Sequence, residues 1–267
     1  MLKVGILGVG AIGRTLASAI DEKRIDAALV ALSDQQREQA EAFAASLASR
    51  PPVVSLDELL ERSDLAVEAA SQAALGDFVP RALARGRDIM VMSAGGLLGH
   101  DEWFREAAAK RCRIYVPAGA IAGLDGIKSA AMGRIESATL TSRKPVTALA
   151  GSQYVESRGL RLGEFKDETV IFEGSAEEAA RSFPATSNVA ASLRLAAGPE
   201  IPVRVRVVAV PGGTKNVHEI RVEGEFGRLS VDVENVPSKS NPRTSQLAAF
   251  SALATLAGLT RPLRVGT

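Results

Sequence analysis

Apolar and polar residues follow two different rhythms along the 267-residue chain. Up to about residue 120 the pattern is blockwise. Short, largely apolar runs at 4–7, 27–32, 65–71, 89–92 and 113–116 alternate with Ala-, Glu- and Leu-rich stretches of helical period at about 11–22, 35–47, 73–85 and 101–111. A strand that is apolar on both sides must be covered on both faces, so this alternation predicts a parallel, doubly wound sheet with helices above and below it. Pro51-Pro52 ends the second helix, Val53-Val54 reads as a short strand, and Ser55-Leu56-Asp57-Glu58 reads as a capping box.

Beyond Ala120 a helix at 121–128 leads away and the period changes to two. Residues 138–142 form one candidate strand. Val203-x-Val205-x-Val207 is a clearer one, with Arg204 and Arg206 on the opposite face. His218-x-Ile220-x-Val222 and Leu229-x-Val231-x-Val233 form a hairpin around 224–227. Strands with one polar face predict a mainly antiparallel sheet covered on one side. Two helices interrupt it, one after the capping box Ser175-Ala176-Glu177-Glu178 and one from Asn188 to about Ala196. An apolar helix at about 245–257 is expected to pack back on the first domain.

Gly8-x-Gly10-x-x-Gly13 lies between the first strand and the first helix, which turns this pattern into a functional expectation. In a dinucleotide-binding turn the first glycine allows a tight bend, the second lets the backbone approach a pyrophosphate, and the third lets helix pack on strand. The free N–H groups at Ala11, Ile12 and Gly13 and the helix dipole would face the phosphates. Asp34 ends the second strand at the spacing where a carboxylate receives a ribose 2′-hydroxyl and repels a 2′-phosphate, which favours NAD over NADP; capping the next helix is its alternative role. Small residues at two further strand ends, Ala70-Ser71 and Ser93-Ala94, suit a crevice in which a nicotinamide lies. The expected fold is α/β, with a Rossmann doubly wound parallel sheet at 1–120. A second α+β domain built on a mainly antiparallel sheet follows at 121–242, and a C-terminal helical segment at 243–267.

Composition narrows the function classes. A net charge of +1 and 4% aromatic residues argue against nucleic-acid or anionic-membrane partners. Cys112 is the only cysteine, and there is no HxxH or CxxC pair, so neither a disulfide framework nor a metal site is expected. Lys3, Arg14 and the turn-spaced glycines set the N-terminus apart from a signal peptide, and a cytoplasmic location is expected.

The chemistry concentrates in few residues. Of the two histidines, His100 reads as structural or exposed. His218 shares the covered face of its strand with Ile220 and Val222, where it is either a satisfied core residue or an acid/base group. Asn188 is either a helix cap or an amide partner for the nicotinamide carboxamide. Asn241-Pro242-Arg243-Thr244-Ser245 suits a carboxylate, or serves as a plain cap.

Several segments together resemble the L-aspartate dehydrogenase family over nearly the whole chain. They are the glycine turn, Glu68-Ala69-Ala70-Ser71, Pro117-Ala118-Gly119-Ala120-Ile121-Ala122-Gly123-Leu124-Asp125, Phe172-Glu173-Gly174-Ser175, Phe183-Pro184 through Asn188-Val189-Ala190-Ala191, Asn216-Val217-His218, and Asn241-Pro242-Arg243-Thr244-Ser245. Ala118 stands where the family usually carries serine. The resemblance implies NAD(P)-dependent oxidative deamination of L-aspartate to iminoaspartate by a homodimer, the imine feeding NAD biosynthesis or hydrolysing to oxaloacetate and ammonia. It further implies His218 as the catalytic group, and cofactor contacts from Asn188 and from the segment holding Ala120 and Ala122. Lys144, Arg243 and Thr244 are candidates for the substrate carboxylates. Since the histidine must be neutral to accept a proton, turnover is expected to rise with pH. Other two-domain oxidoreductases, homoserine-dehydrogenase-like or dihydrodipicolinate-reductase-like, and a non-catalytic NAD(H) sensor are the competing readings.

Overall fold

Continuous apolar runs close to the chain start have only one way to hide both faces, and they form the centre of a parallel sheet. The computed structural model describes residues 1–184, 187–236 and 245–266. The chain divides into two compact units, one made of Met1–Pro117 with Ala249–Val265, the other centred on Ala118–Ala248.

In the first unit the strands are β1 (Leu2–Leu7), β2 (Ala27–Ser33), β3 (Leu65–Glu68), β4 (Asp88–Val91) and β5 (Ile114–Tyr115), ordered β2-β1-β3-β4-β5 and all parallel. The helices between them are α1 (Ala11–Asp21), α2 (Arg37–Ser46), α3 (Leu56–Arg62), α4 (Leu75–Ala84) and α5 (Asp101–Lys110). Val53 makes only an isolated bridge to Leu32 rather than a strand, because the Pro51-Pro52 pair denies it a ladder. β3 stops at Glu68, three residues short of the apolar run. Because β1 lies between β2 and β3, the chain reverses direction across the sheet at β1 and β3, the switch point where open α/β sheets bind ligands beyond their carboxyl ends. Val4, Ile6, Leu16, Ile20, Leu32, Val67 and Met90 fill the core, together with Ala252, Leu256 and Ala257 of the last helix, α11 (Gln246–Thr260).

The second unit opens with α6 (Leu124–Ala130) and β6 (Ile135–Pro145), which runs well past the predicted 138–142. After the short helices α7 (Val146–Leu149) and α8 (Gln153–Ser157) come β7 (Thr169–Ser175), α9 (Ala176–Ser182), α10 (Asn188–Ala197), β8 (Val203–Val210), β9 (Asn216–Gly224) and β10 (Gly227–Asn235). The sheet order is β10-β9-β6-β8-β7, antiparallel except where β6 lies parallel to β8. α9 is closed at its start by the reciprocal bonds of Ser175 and Glu178. One sheet face is polar, and ion pairs such as Arg143–Glu219 at 2.9 Å and Arg206–Glu173 at 3.4 Å lie on it. The other face holds Ala138, Leu140, Val203, Val205, Ile220 and Val222, all buried.

Candidate active site

The glycine turn of the first unit shows why each position resists a side chain. Gly8 has φ of +95°, and a Cβ on it would lie 2.6 Å from the Ala69 carbonyl; one on Gly13 would lie 1.9 Å from the Gly8 oxygen. Those two glycines therefore serve the fold itself. Gly10 differs, because a Cβ there meets nothing within 4 Å. Its bareness leaves open space over the turn, the condition a pyrophosphate would require. Gly10 also begins α1 without a capping side chain, so the N–H groups of Ala11, Ile12 and Gly13 lack intrahelical acceptors. The residues present thus fit a dinucleotide.

Asp34 is drawn into this turn. Its Oδ2 accepts the Val9 N–H at 2.6 Å and its Oδ1 accepts the Gln36 N–H at 2.8 Å. Arg14 holds the same residue from the other side, Nε donating to the Val9 carbonyl at 2.9 Å. Asp34 is not the cap of α2, which starts at Arg37 with Gln36 in the capping position. A carboxylate has about four acceptor sites, so capacity remains for a ribose hydroxyl. At the other strand ends, Ala70 and Ser71 are exposed while Ser93 is buried. The Ser93 hydroxyl and N–H both donate to the Glu68 carboxylate, at 2.9 and 3.0 Å, which leaves Ser93 only an oxygen lone pair for any ligand.

In the second unit the chemistry gathers at one end of the covered sheet face. Along β6 and β9 the facing pairs run Ala138–Val222, Leu140–Ile220, then Ser142–His218. Two residues further along each strand come Lys144 and Asn216, which line one cavity, so this end of the face exchanges apolar contacts for polar ones. Ser142 Oγ and His218 Nδ1 are 2.9 Å apart, and both residues are buried. Burial lowers the His218 pKa to about 3, with the Lys144 charge adding to the effect. Lys144 is only 6% exposed, and no acceptor among the described residues pairs with it. Burial lowers its pKa to about 8. The expected gain of activity as His218 loses a proton therefore lies far below physiological pH, because this imidazole is already neutral in the free protein.

Lys144 lines a cavity of about 260 Å³ together with Leu149, Gly151, Ser152, Phe183 and Asn216. It also borders a smaller void with Ser142 and Ser187. Asn216 Oδ1 and Ser187 Oγ are buried without a hydrogen-bond partner among the described residues. A buried ammonium with no acceptor among the described residues, beside two such polar atoms, is costly unless an anionic or polar group completes it.

Other predicted residues are placed as follows. Asn188 is the first residue of α10, half-buried, and the capping position belongs to Ser187. Ala120 is buried and its carbonyl accepts from Asn235 Nδ2 at 2.9 Å, whereas Ala122 is exposed. Arg243 and Thr244 lie outside the described residues. His100 holds the capping position of α5, half-buried, with its ring stacked on Trp103 at 3.8 Å. The sequence gives no role to Glu68 and Asn216, which stand only within family-like segments, or to Ser142 and Asn235. For Ser142 a signal existed: continuing the alternation of β6 puts it, with Lys144, on the apolar face.

Comparison with known proteins places this geometry. Residues 125–259 match the family model for the aspartate dehydrogenase C-terminal domain, and 8–117 match the homoserine dehydrogenase NAD-binding domain. The chain is 46% identical to an L-aspartate dehydrogenase of Methanosarcina barkeri and 45% identical to one of Methanocella arvoryzae, each aligned over all of both chains. Among solved structures, aspartate dehydrogenase from Thermotoga maritima superposes with a TM-score of 0.75 at 25% identity, covering 100% of each chain. A myo-inositol dehydrogenase from Sinorhizobium meliloti shares the fold at a TM-score of 0.55 and 16% identity, over 99% of this chain and 91% of that one. This chain is an oxidoreductase with a pyridine-nucleotide-binding domain, and it belongs to the L-aspartate dehydrogenase family.

Proposed function

We propose that this protein oxidises L-aspartate to iminoaspartate with NAD as the preferred hydride acceptor. The observation that carries the substrate half is Lys144, a buried cation with no acceptor among the described residues, two residues along β6 from Ser142 of the Ser142–His218 pair and open to a cavity. Asp34 supports NAD over NADP, because its carboxylate is fixed beside the glycine turn and would repel a 2′-phosphate.

When bound, the nicotinamide supplies the redox chemistry by taking a hydride from the substrate α-carbon. The protein supplies binding and proton handling. Lys144 receives one substrate carboxylate, with Arg243 and Thr244 as candidates for the other. Ser142 fixes the imidazole through Nδ1, leaving Nε2 of His218 to accept a proton from the substrate ammonium, or from the water that later attacks the imine. Burial is the larger cause of the His218 depression and the Lys144 charge the smaller; a carboxylate on Lys144 cancels that smaller part, which makes His218 a better proton acceptor. Asn188 and the backbone at Ala120 and Ala122 are assigned to the cofactor on the strength of the family pattern. We further read the protein as a cytoplasmic homodimer; Phe250 of α11, 53% exposed on an apolar helix, supports pairing of two copies. Light scattering tests this through the mass.

Initial rates of NAD and NADP reduction with L-aspartate, D-aspartate, L-glutamate and L-homoserine test the assignment. L-Aspartate with NAD should give the highest kcat/KM. Preferential turnover of L-homoserine would instead favour the activity named by the model that its cofactor domain matches.

A further inference from the structure

Glu68 ends β3 fully buried, and no cation among the described residues pairs with it. Its carboxylate collects three donors instead. Oε1 accepts the Ala70 N–H at 2.8 Å and the Ser93 hydroxyl at 2.9 Å, and Oε2 accepts the Ser93 N–H at 3.0 Å. Burial pushes its pKa up, while the donors of Ser93 and Ala70 pull the other way. The two N–H groups can only donate and the Ser93 hydroxyl is free to donate as well, so each of the three contacts suits a carboxylate oxygen.

The donors belong to two loops. Ala70 leaves β3 and Ser93 leaves β4, and the Met92 N–H adds a backbone bond to the Glu68 carbonyl at 3.0 Å. The loops are also pressed together: a Cβ on Gly95 would fall 2.2 Å from Gln72 Nε2, and one on Gly96 would fall 3.1 Å from the Gln72 carbonyl. On the β1 side the Ala69 N–H donates to the Leu7 carbonyl at 2.8 Å. The carboxylate therefore sits beneath the switch point. The glycine turn and Asp34 take the adenosine and pyrophosphate side, which leaves the β3–β4 side for the other end of a dinucleotide.

We propose that Glu68 is a positioning residue for the nicotinamide half of the cofactor, its buried carboxylate joining Ala70-Ser71 and Ser93-Ala94 into one preformed wall. The proposal rests on the dinucleotide reading of this unit. Glu68 touches neither cofactor nor substrate; it acts through the two loops. Glu68→Gln keeps the shape but turns an NH₂ toward N–H donors, so at least one buried donor loses its acceptor.

Calorimetric titration of the full chain with NADH and with ADP-ribose, which lacks the nicotinamide, tests the proposal. Glu68→Gln should bind NADH about tenfold more weakly and ADP-ribose with unchanged affinity. Equal weakening of both ligands, as general loosening of the fold would produce, overturns it, and so does no change in either. If Glu68→Gln does not fold, Ser93→Ala removes one of the three donors. It should weaken NADH alone by about two- to threefold, and equal or absent effects on the two ligands again overturn the proposal. Wild-type protein that bound neither ligand would overturn the dinucleotide reading, a distinct result.

Discussion

Replacing Lys144 by methionine keeps an unbranched stem of similar volume and removes the buried charge, so the cost of that charge becomes measurable. An ordinary lysine titrates at 10.5 and this one at about 8, because burial disfavours the ammonium. Its folded pKa lies below its unfolded one, so the unfolded chain holds the extra proton between those values and stability rises with pH across that window. Below about pH 8 the full penalty applies. It amounts to about 3 kcal/mol at pH 7, falling to about 2 at pH 9 and about 1 at pH 10. Lys144→Met should therefore be more stable than wild type by about those amounts when unfolded in urea and followed by circular dichroism. Other titrations cancel in the difference between the two proteins. The same variant should bind L-aspartate about a hundredfold more weakly, having lost the cation for a carboxylate. A variant less stable than wild type at pH 7, or a difference that does not shrink toward pH 10, would refute the reasoning. It would mean that Lys144 is already paired in the free protein.

Four other variants test the geometry. His218→Gln should lower kcat for L-aspartate by about 10²–10⁴-fold with NADH affinity intact, and undiminished turnover would remove His218 from the reaction. The folded imidazole stays neutral down to about pH 3 against an unfolded value near 6.5, so wild type sheds stability as pH falls below 6.5. By pH 5 that loss is about 2 kcal/mol, and acid unfolding of His218→Gln should lack this component. Gly10→Ala, whose methyl meets nothing in the protein, should leave the melting temperature unchanged yet weaken NADH by about tenfold. Gly13→Ala, with its methyl 1.9 Å from the Gly8 oxygen, should destabilise the fold by about 3 kcal/mol or more in the same melting assay. Asp34→Ala should lower the ratio of kcat/KM for NAD to that for NADP by about tenfold, and a rise in that ratio would count against the ribose role.

Much of the fold is legible in the one-dimensional pattern because it is set by local rules. The apolar runs of β1 to β4, the glycine turn and the hairpin of β9 and β10 each carry their signal within about ten residues, as does the capping box at Ser175. Alternation alone puts His218 on the covered face and Glu219 on the open one, since successive side chains of a strand point to opposite sides. What misleads is competition at element ends. Pro51-Pro52 reduces a predicted strand to a single bridge, and Ser187 rather than Asn188 caps α10.

The sequence by itself determined that the chain is a two-part α/β oxidoreductase with a dinucleotide turn at Gly8, Gly10 and Gly13, because turn chemistry and burial periodicity are properties of neighbouring residues. Only the tertiary structure decided which groups act together. Ser142 and His218 are 76 residues apart, and Glu68 and Ser93 are 25 apart. Strand register, not spacing, brings each pair within 3 Å. Charge state is likewise a tertiary property. Nothing in the letters around Lys144 distinguishes an exposed lysine from a buried one, and its amine is depressed because the packed unit buries it.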